Sequence, residues 1–289
     1  VTLAGVIFNR VGKGRHEDIL RRALEPLGVP VLGCLPHNDD LVLPDRHLGL
    51  VQAAENPDLE AFLSRASAWI AGHMDLDALV GLARPGSFKE TEPGSPIPPL
   101  GQRIALAHDE AFAFSYPHVL DGWRRAGAEI LPFSPLADEA PDASADAVYL
   151  PGGYPELHAG RLSANDTFLA GLNSAPLVYG ECGGYMVLGR GLIDKEGTRH
   201  AMAGLLNLET SFAEARLHLG YRAGRTLADT PLGRAGAAYR GHEFHYATTV
   251  REEGEALFAC EDSSGLGLGD CGLRTERAFG SFLHLIDRD

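Results

Sequence analysis

The 289-residue sequence has few cysteines, no long hydrophobic run and no excess of basic residues. None of its four cysteines forms a C-x-x-C pair, the spacing typical of zinc and thioredoxin-like redox sites. No stretch approaches about 18 uninterrupted apolar residues, which excludes a membrane-spanning helix. Lys and Arg number 25 against 39 Asp and Glu, a net charge of −14, whereas a surface for nucleic-acid phosphates must be basic. We therefore expect neither a membrane nor a nucleic acid as partner.

The chain also lacks a secretory signal pattern at its start, and it begins with Val1 rather than Met. Four scattered single thiols without a secretory signal indicate a reducing, cytoplasmic setting. We interpret the chain as the interior or C-terminal part of a longer polypeptide.

Alternating strands and helices predict an α/β protein. The first region has a strand at 3–8, a helix at 17–27 ended by Gly28, and a strand at 29–35. This β-α-β order predicts parallel strands with a right-handed crossover. Helical stretches follow around 47–83.

Residues 84–101 carry five of the 18 prolines and three glycines without periodicity, which predicts an extended linker. The linker separates a first domain, 1–83, from a second domain, 102–289, in which the alternation restarts. The second domain is predicted to have strands at 104–107, 129–133, 146–150 and 177–179, helices at 116–126 and 163–172, and a strand-rich end over 203–289.

Cys182 stands at the centre of a G-x-C-x-G sequence, Gly180–Gly184, between an apolar strand and a helix predicted to be amphipathic. Small residues on both sides are what a nucleophile elbow requires, because its central residue occupies a strained, exposed turn. The amides at the helix start are expected to lower the thiol pKa. We predict a nucleophile; the alternative is a glycine-rich turn with an incidental, buried cysteine.

A thiolate nucleophile needs a base, and His284 ends the apolar stretch 279–284 late in the chain. A cysteine on an elbow and a histidine at the end of a late strand can meet at the carboxyl edge of a doubly wound sheet. Gly152-Gly153 follows a strand and frees backbone amides for an oxyanion, with the amide of Gly183 as second donor. A plain tight turn is the alternative for Gly152-Gly153.

Several longer segments carry a resemblance to a known family over essentially the whole chain. They are VYGECGGYMVL (178–188), PGGYPELH (151–158), GHEFHY (241–246), AFAF (111–114), GVIFNRV (5–11), Arg15-His16, LGCLP (32–36) and LPDRHLGLV (43–51). Together with Cys182 and His284 they resemble class I glutamine amidotransferase domains, and more narrowly the cobyrinate and hydrogenobyrinate a,c-diamide synthases.

The resemblance implies a flavodoxin-like mixed sheet over 102–289, preceded by the C-terminal part of a P-loop-type ATP-binding synthetase domain. It implies glutamine-dependent, ATP-driven amidation of the a and c side chains of a cobyrinate- or hydrogenobyrinate-type macrocycle in cobalamin biosynthesis. Glutamine would be hydrolysed through a thioester on Cys182 with His284 as base, and Gly152-Gly153 would give the first oxyanion donor. ATP and Mg²⁺ are expected for the full-length ligase but not for the glutaminase step, and a homodimer is compatible with this interpretation.

Two features depart from the family pattern. Many class I domains place Glu two residues after the catalytic histidine, where this chain has Ile286; Asp287 is one further on and points elsewhere if the strand continues. We therefore expect a Cys–His dyad rather than a triad. No G-x-x-x-x-G-K-[ST] sequence occurs, so the chain as given is not expected to bind ATP phosphates productively.

Other polar residues support weaker hypotheses. By resemblance Asn9 lies near an adenine, although a satisfied turn asparagine is equally open. Arg46-His47 could contact substrate carboxylates or form a solvated turn. Alternation along a strand puts His242 and Glu243 on opposite faces, and a structural or tunnel-lining role is open for His242, Glu243 and His245.

Three other functions remain open from the sequence: a sibling corrinoid amidase of the cobyric acid synthase type, a cysteine hydrolase or peptidase on the same scaffold, and a regulatory binding domain. Whether the macrocycle carries cobalt is also open.

Overall fold

A computed structural model describes residues 2–12, 14–43, 51–86 and 96–289. The chain divides into two compact units, Val1–Glu90 and Thr91–Asp289, and the division falls inside the predicted linker. Arg46-His47 lies outside the described residues. Over the described ranges, no helix is both long and apolar enough to cross a membrane.

The first unit contains a parallel β-α-β arrangement, as the sequence predicts. Strand β1 (Val6–Val11) pairs in parallel with β2 (Val31–Pro36), and helix α1 (Arg15–Leu24) connects them. Strand β1 runs through the Asn9 region that was expected to end it. Helix α1 stops before a short 3-10 turn, and Gly28 follows in the left-handed conformation (φ 63°), as expected for a helix stop. Helices α2 (Leu59–His73) and α3 (Leu76–Leu82) complete this unit.

The second unit is built on a ten-stranded mixed sheet. In chain order its elements are β3 (Arg103–Ala107), α4 (Pro117–Arg125), β4 (Glu129–Phe133), β5 (Ala147–Leu150), α5 (Ala159–Ala164), α6 (Asp166–Ser174), β6 (Val178–Glu181), α7 (Gly183–Leu188), β7 (Gly191–Ile193), β8 (Arg199–Ala201), β9 (Leu208–Ser211), β10 (His218–Thr226), β11 (Ala238–His245), β12 (Thr248–Glu252), β13 (Glu255–Asp262), β14 (Gly267–Arg274), β15 (Ala278–Ser281) and β16 (Leu283–Arg288). The predicted helix 163–172 is thus divided into α5 and α6 at Asn165.

The strand order in the large sheet is β16-β11-β10-β13-β14-β15-β6-β5-β3-β4. Strands β15, β6, β5, β3 and β4 pair in parallel, and the strands on the other side of β15 pair antiparallel. The order confirms the mixed sheet. Strands β12, β9, β7 and β8 form a separate four-stranded sheet.

Apolar side chains from the large sheet and α4 form the main core, and the end of the predicted linker belongs to it. Ile97 and Leu100 are buried in that core. The indole Nε1 of Trp123 in α4 donates a hydrogen bond to the carbonyl of Ile97 (3.1 Å). The apolar residues of this segment therefore pack as core, although its prolines suggest an extended connection.

Two of the four cysteines form a disulfide, which contradicts the expectation of four single thiols. Cys260 on β13 and Cys271 on β14 are joined, with their Cα atoms 6.5 Å apart. Antiparallel pairing of these strands brings the two residues together, and a separation of 11 residues gives no sign of it in the sequence. Cys34 and Cys182 are free and buried.

Candidate active site

Cys182 occupies a strained turn between β6 and α7, as the elbow sequence predicts. Its backbone has φ 48° and ψ −105°, in a region that non-glycine residues rarely adopt. The flanking glycines are needed for close approach, because a Cβ on Gly180 would lie 2.7 Å from the carbonyl carbon of Gly184. The G-x-C-x-G sequence therefore encodes the turn directly.

The environment of the Cys182 thiol differs from the prediction. The residue is only 4% exposed, and its Sγ lies 3.7 Å from the carbonyl oxygen of Phe244. Burial and the nearby charge of Glu156 raise the pKa of the thiol well above its ordinary value, although the Gly183 amide lowers it. Helix α7 has only six residues, all of them buried, so it is not amphipathic. The prediction of an exposed thiolate with a lowered pKa was therefore wrong: the Cys182 thiol is buried and neutral at pH 7.

His284 is the second residue of β16 rather than the last residue of an apolar strand. The predicted strand is interrupted at Phe282, between β15 and β16. His284 is 3% exposed, and burial, together with the repulsion that positive charge on His242 or His245 would add, lowers its pKa to about 3. The imidazole is therefore neutral at pH 7, which is the form that accepts a proton.

The Gly152-Gly153 loop lies against both predicted reactive regions. A Cβ on Gly152 would lie 2.3 Å from Cε1 of His284, and a Cβ on Gly183 would lie 3.0 Å from the amide nitrogen of Gly153. The amide of Phe114 donates to the carbonyl of Gly152 (2.9 Å) and holds the loop in place. The structure thus brings the predicted oxyanion glycines next to the Cys182 turn and next to His284.

The sheet places Cys182 and His284 at one edge. Strand β15 pairs in parallel with β6, and the amide of Cys182 donates to the carbonyl of Ser281, the last residue of β15 (2.8 Å). His284 follows three residues later. The carboxyl end of β15 therefore lies beside the elbow, while direct contact between Cys182 and His284 stays a prediction.

Sequence reasoning missed the role of Glu181, the residue before Cys182. This carboxyl is 3% exposed and accepts hydrogen bonds from the hydroxyls of Tyr149 (2.8 Å) and Tyr179 (2.7 Å) and from the amide of Leu285 (3.3 Å). Burial raises its pKa to about 7 despite these donors. A charged residue at the end of the apolar segment LVYGEC was the available signal.

Two rings lie beside His284: that of Tyr116, to which sequence reasoning assigned no role, and that of His242, for which a structural or tunnel-lining role was open. The hydroxyl of Tyr116, just before α4, hydrogen-bonds Nε2 of His242. The rings of His242 and His284 are parallel. Burial raises the pKa of Tyr116 to about 12, and negative charge on Glu181 or Cys182 would act in the same direction.

Glu243 faces the opposite side of the sheet from His242, as strand alternation predicts. It pairs with Arg222 (2.7 Å) and His245 (2.9 Å) beside a cavity of about 240 Å³. Burial opposes ionisation of Glu243, but its bonds to His245 and Arg222 lower its pKa to about 2. His218, Glu243 and His245 have ligand atoms within 4.8 Å of one another, yet the guanidinium of Arg222 already neutralises this carboxylate.

Two remaining predicted residues lie away from this region. Asp287 is exposed, and its Oδ1 accepts from the amide of Arg288 (2.8 Å), in line with the expectation that it points elsewhere. Asn9 in the first unit accepts from the amide of Arg10 (2.9 Å). It also lines a cavity of about 350 Å³ in that unit with Arg10, Pro36, His37, Asn38, Leu41, Val42, Leu43 and Trp69.

The model of the CobB/CobQ-like glutamine amidotransferase domain matches residues 103–288, and the chain belongs to this family. The hydrogenobyrinate a,c-diamide synthase of Brucella anthropi is 54% identical over 99% of this chain and 66% of its own length. That of Rhodobacter capsulatus is 52% identical over 98% of this chain and 66% of its own length. A solved glutamine amidotransferase from Thermotoga maritima has 16% identity and a TM-score of 0.41, covering 63% of this chain and 74% of its own.

The chain therefore spans about two thirds of the length of the curated synthases that it matches.

Proposed function

We propose that this chain supplies the glutaminase part of an enzyme that amidates the a and c carboxylates of hydrogenobyrinate or cobyrinate. Identity of 52–54% to hydrogenobyrinate a,c-diamide synthases supports the substrate class. The observation that carries the glutaminase assignment is the Gly152-Gly153 loop, which contacts both the Cys182 turn and His284. A buried thiol, a neutral imidazole and a glycine loop that contacts both regions fit the requirements of acyl transfer.

In the first step, His284 takes the proton from the Cys182 thiol as the sulfur attacks the amide carbon of glutamine. Because burial disfavours the free thiolate, proton transfer and attack are coupled, and the thiol stays unreactive until an amide carbon is in place. The oxygen of the tetrahedral intermediate carries a negative charge. We assign the stabilisation of this charge to the amides of Gly183 and of the Gly152-Gly153 loop.

In the second step, the carbon–nitrogen bond breaks and ammonia leaves with the proton held by His284. The product is a γ-glutamyl thioester on Cys182. His284 then takes a proton from water, which attacks the thioester carbon, and the return of this proton to sulfur restores the thiol as glutamate leaves. A base that is neutral before each proton transfer fits the lowered pKa of His284.

In the full-length enzyme, the ammonia attacks a substrate carboxylate activated by ATP, which makes the enzyme a carbon–nitrogen ligase with glutamine as nitrogen donor. The sequence holds no P-loop for the ATP phosphates or Mg²⁺. The cavity at Asn9, at the low end of small-molecule pocket sizes, fits the base side of a nucleotide site. A cytoplasmic location and a homodimer stay predictions.

Glutamate release from glutamine tests this proposal. The wild-type chain is expected to release glutamate, whereas Cys182→Ala is expected to release none, and Cys34→Ala is the matched control because Cys34 is the other free, buried cysteine. Equal release by wild type and Cys182→Ala overturns the nucleophile. In the full-length enzyme, Cys182→Ser should lose amidation with glutamine and retain it with ammonia; loss with both would overturn the division of labour.

A further inference from the structure

The imidazole of His284 is enclosed by two other rings. His242 on β11 lies directly opposite His284 on β16, so both side chains project from one face of the sheet. Their rings are parallel, with centroids 4.8 Å apart and an interplanar angle of 5°. The Tyr116 ring stands at 87° to both, with centroid distances of 6.1 and 6.2 Å.

The usual orienting partner of a catalytic histidine is replaced here by ring contacts. Nδ1 of His284 is buried and has no hydrogen-bond partner within the part of the chain that the structure describes. Ile286 occupies the position of the usual glutamate, and Asp287 is exposed with its oxygen on the next amide. An imidazole without a hydrogen bond at Nδ1 must be held by packing, and the parallel face of His242 provides it.

Tyr116 in turn fixes His242. The Tyr116 hydroxyl, which keeps its proton at neutral pH because its pKa is about 12, forms a hydrogen bond with Nε2 of His242, and the tautomer of His242 decides which of the two donates. Burial lowers the pKa of His242, which favours its neutral form at pH 7. A neutral aromatic face favours the imidazolium that His284 becomes during attack, whereas a protonated neighbour would repel it.

The geometry points to His242 as the positioning residue of His284: its ring face, fixed by the Tyr116 hydroxyl, takes the orienting role of the carboxylate in a catalytic triad. This inference rests on the proposed function, since it requires His284 to be the base. Two substitutions at position 242 distinguish an effect of ring stacking on His284 from an effect of side-chain volume. Phenylalanine keeps a flat aromatic ring without nitrogen atoms, whereas leucine fills a similar volume but has no aromatic ring.

The test is the steady-state kinetics of glutamine hydrolysis by the wild-type chain and by His242→Phe and His242→Leu. Since positioned acid–base groups contribute about 10²–10⁴ in rate, His242→Leu is expected to lower kcat about 100-fold while KM stays within about threefold. His242→Phe is expected to keep kcat within about tenfold of the wild-type value, because its ring can still stack on His284. The matched control is His218→Leu, because His218 is also stacked on a histidine, His245 (4.6 Å, 5°), and it should keep wild-type kcat.

A phenylalanine variant as slow as the leucine variant, or a leucine variant as fast as wild type, overturns the positioning role. If thermal unfolding shows that His242→Leu does not fold, Tyr116→Phe decides, since it removes one hydroxyl and should lower kcat about tenfold; an unchanged kcat there also overturns it. A wild-type chain that releases no glutamate refutes the proposed function itself. An active wild type with unaffected variants refutes only this inference.

Discussion

The backbone of Gly152 lies directly against the imidazole of His284. A Cβ at this position would be 2.3 Å from Cε1, a distance that real Cβ atoms essentially never show, and 3.2 Å from Nδ1 of the ring. The ring is buried, and the loop is fixed by the hydrogen bond between the Phe114 amide and the Gly152 carbonyl. The loop and the His284 ring can therefore occupy these positions together only while residue 152 is glycine.

Gly152→Ala is therefore expected to displace His284 and to lower glutamine hydrolysis strongly. A misplacement of about 1 Å at a reacting group costs about 100-fold in rate, and we expect a loss of that order in kcat. The matched control is Gly122→Ala in α4, where a Cβ would meet nothing within 4 Å and alanine favours the helix. A Gly152→Ala chain with wild-type kcat would contradict the packing described here.

His284→Ala and Asp287→Asn should differ greatly in their effect on glutamine hydrolysis. Removal of the base is expected to cost about 10²–10⁴ in kcat. Asp287 is exposed and bonds its neighbouring amide, so Asp287→Asn should change kcat by less than about twofold, in the range of surface substitutions. Equal losses in the two variants would indicate a working triad through Asp287 and would rule out the dyad.

The buried thiol of Cys182 should react slowly with a small alkylating agent at neutral pH. Because burial raises its thiol pKa above the ordinary value, the thiolate fraction is small at pH 7 and the iodoacetamide rate should still be rising between pH 8 and 9.5. Mass spectrometry of the modified Cys182 peptide in a Cys34→Ser background gives this rate. A rate that is already constant at pH 7 would show an ionised thiol and refute the effect of burial.

Glu181 should make the free energy of unfolding fall as the pH rises from 4.5 to 7. The pKa of Glu181 is about 7 in the folded chain and 4.5 ordinarily, so between these pH values the folded chain holds a proton that the unfolded chain has lost. The stability that this proton contributes is complete below pH 4.5 and is lost as the pH rises to 7. The change is about 3 kcal/mol, since one pKa unit corresponds to about 1.4 kcal/mol. Glu181→Gln removes this dependence.

Urea unfolding at pH 4.5, 6 and 7.5 measures the effect as the difference between wild type and Glu181→Gln. His284, whose folded pKa is about 3, makes stability rise with pH up to about 6.5, but it does so in both proteins and cancels in the difference. Glu276→Gln, on an exposed carboxylate, is the control. A difference that does not change with pH would mean that Glu181 is ionised throughout this range.

Local patterns in the sequence predicted the elbow because its geometry is encoded by neighbouring residues. Gly180 and Gly184 permit a close backbone approach that any Cβ would prevent, and the apolar strand before them is continuous. The β-α-β unit ending at Gly28 follows from the same kind of local signal. Features that depend on about ten neighbouring residues could therefore be predicted from the sequence.

Properties that depend on how different strands pack together could not be predicted from the sequence. The thiol pKa of Cys182 depends on how the surrounding strands bury it, so the helix-start argument gave the wrong direction. The partnership of His242 with His284 depends on the register between β11 and β16, and the Cys260–Cys271 disulfide depends on the pairing of β13 with β14. Both depend on which residues face each other across paired strands, and nothing in the sequence around these residues indicates that register.

The most direct test of the account is to look for a covalent γ-glutamyl group on Cys182 during turnover. The wild-type chain is mixed with glutamine, quenched in acid within the first turnovers and digested, and the Cys182 peptide is examined by mass spectrometry. We predict a γ-glutamyl thioester on Cys182 that is absent from samples without glutamine and from Cys182→Ser. Glutamate release at the wild-type rate with no glutamyl group on Cys182, or with Cys182 replaced, would contradict the nucleophilic role assigned to this residue.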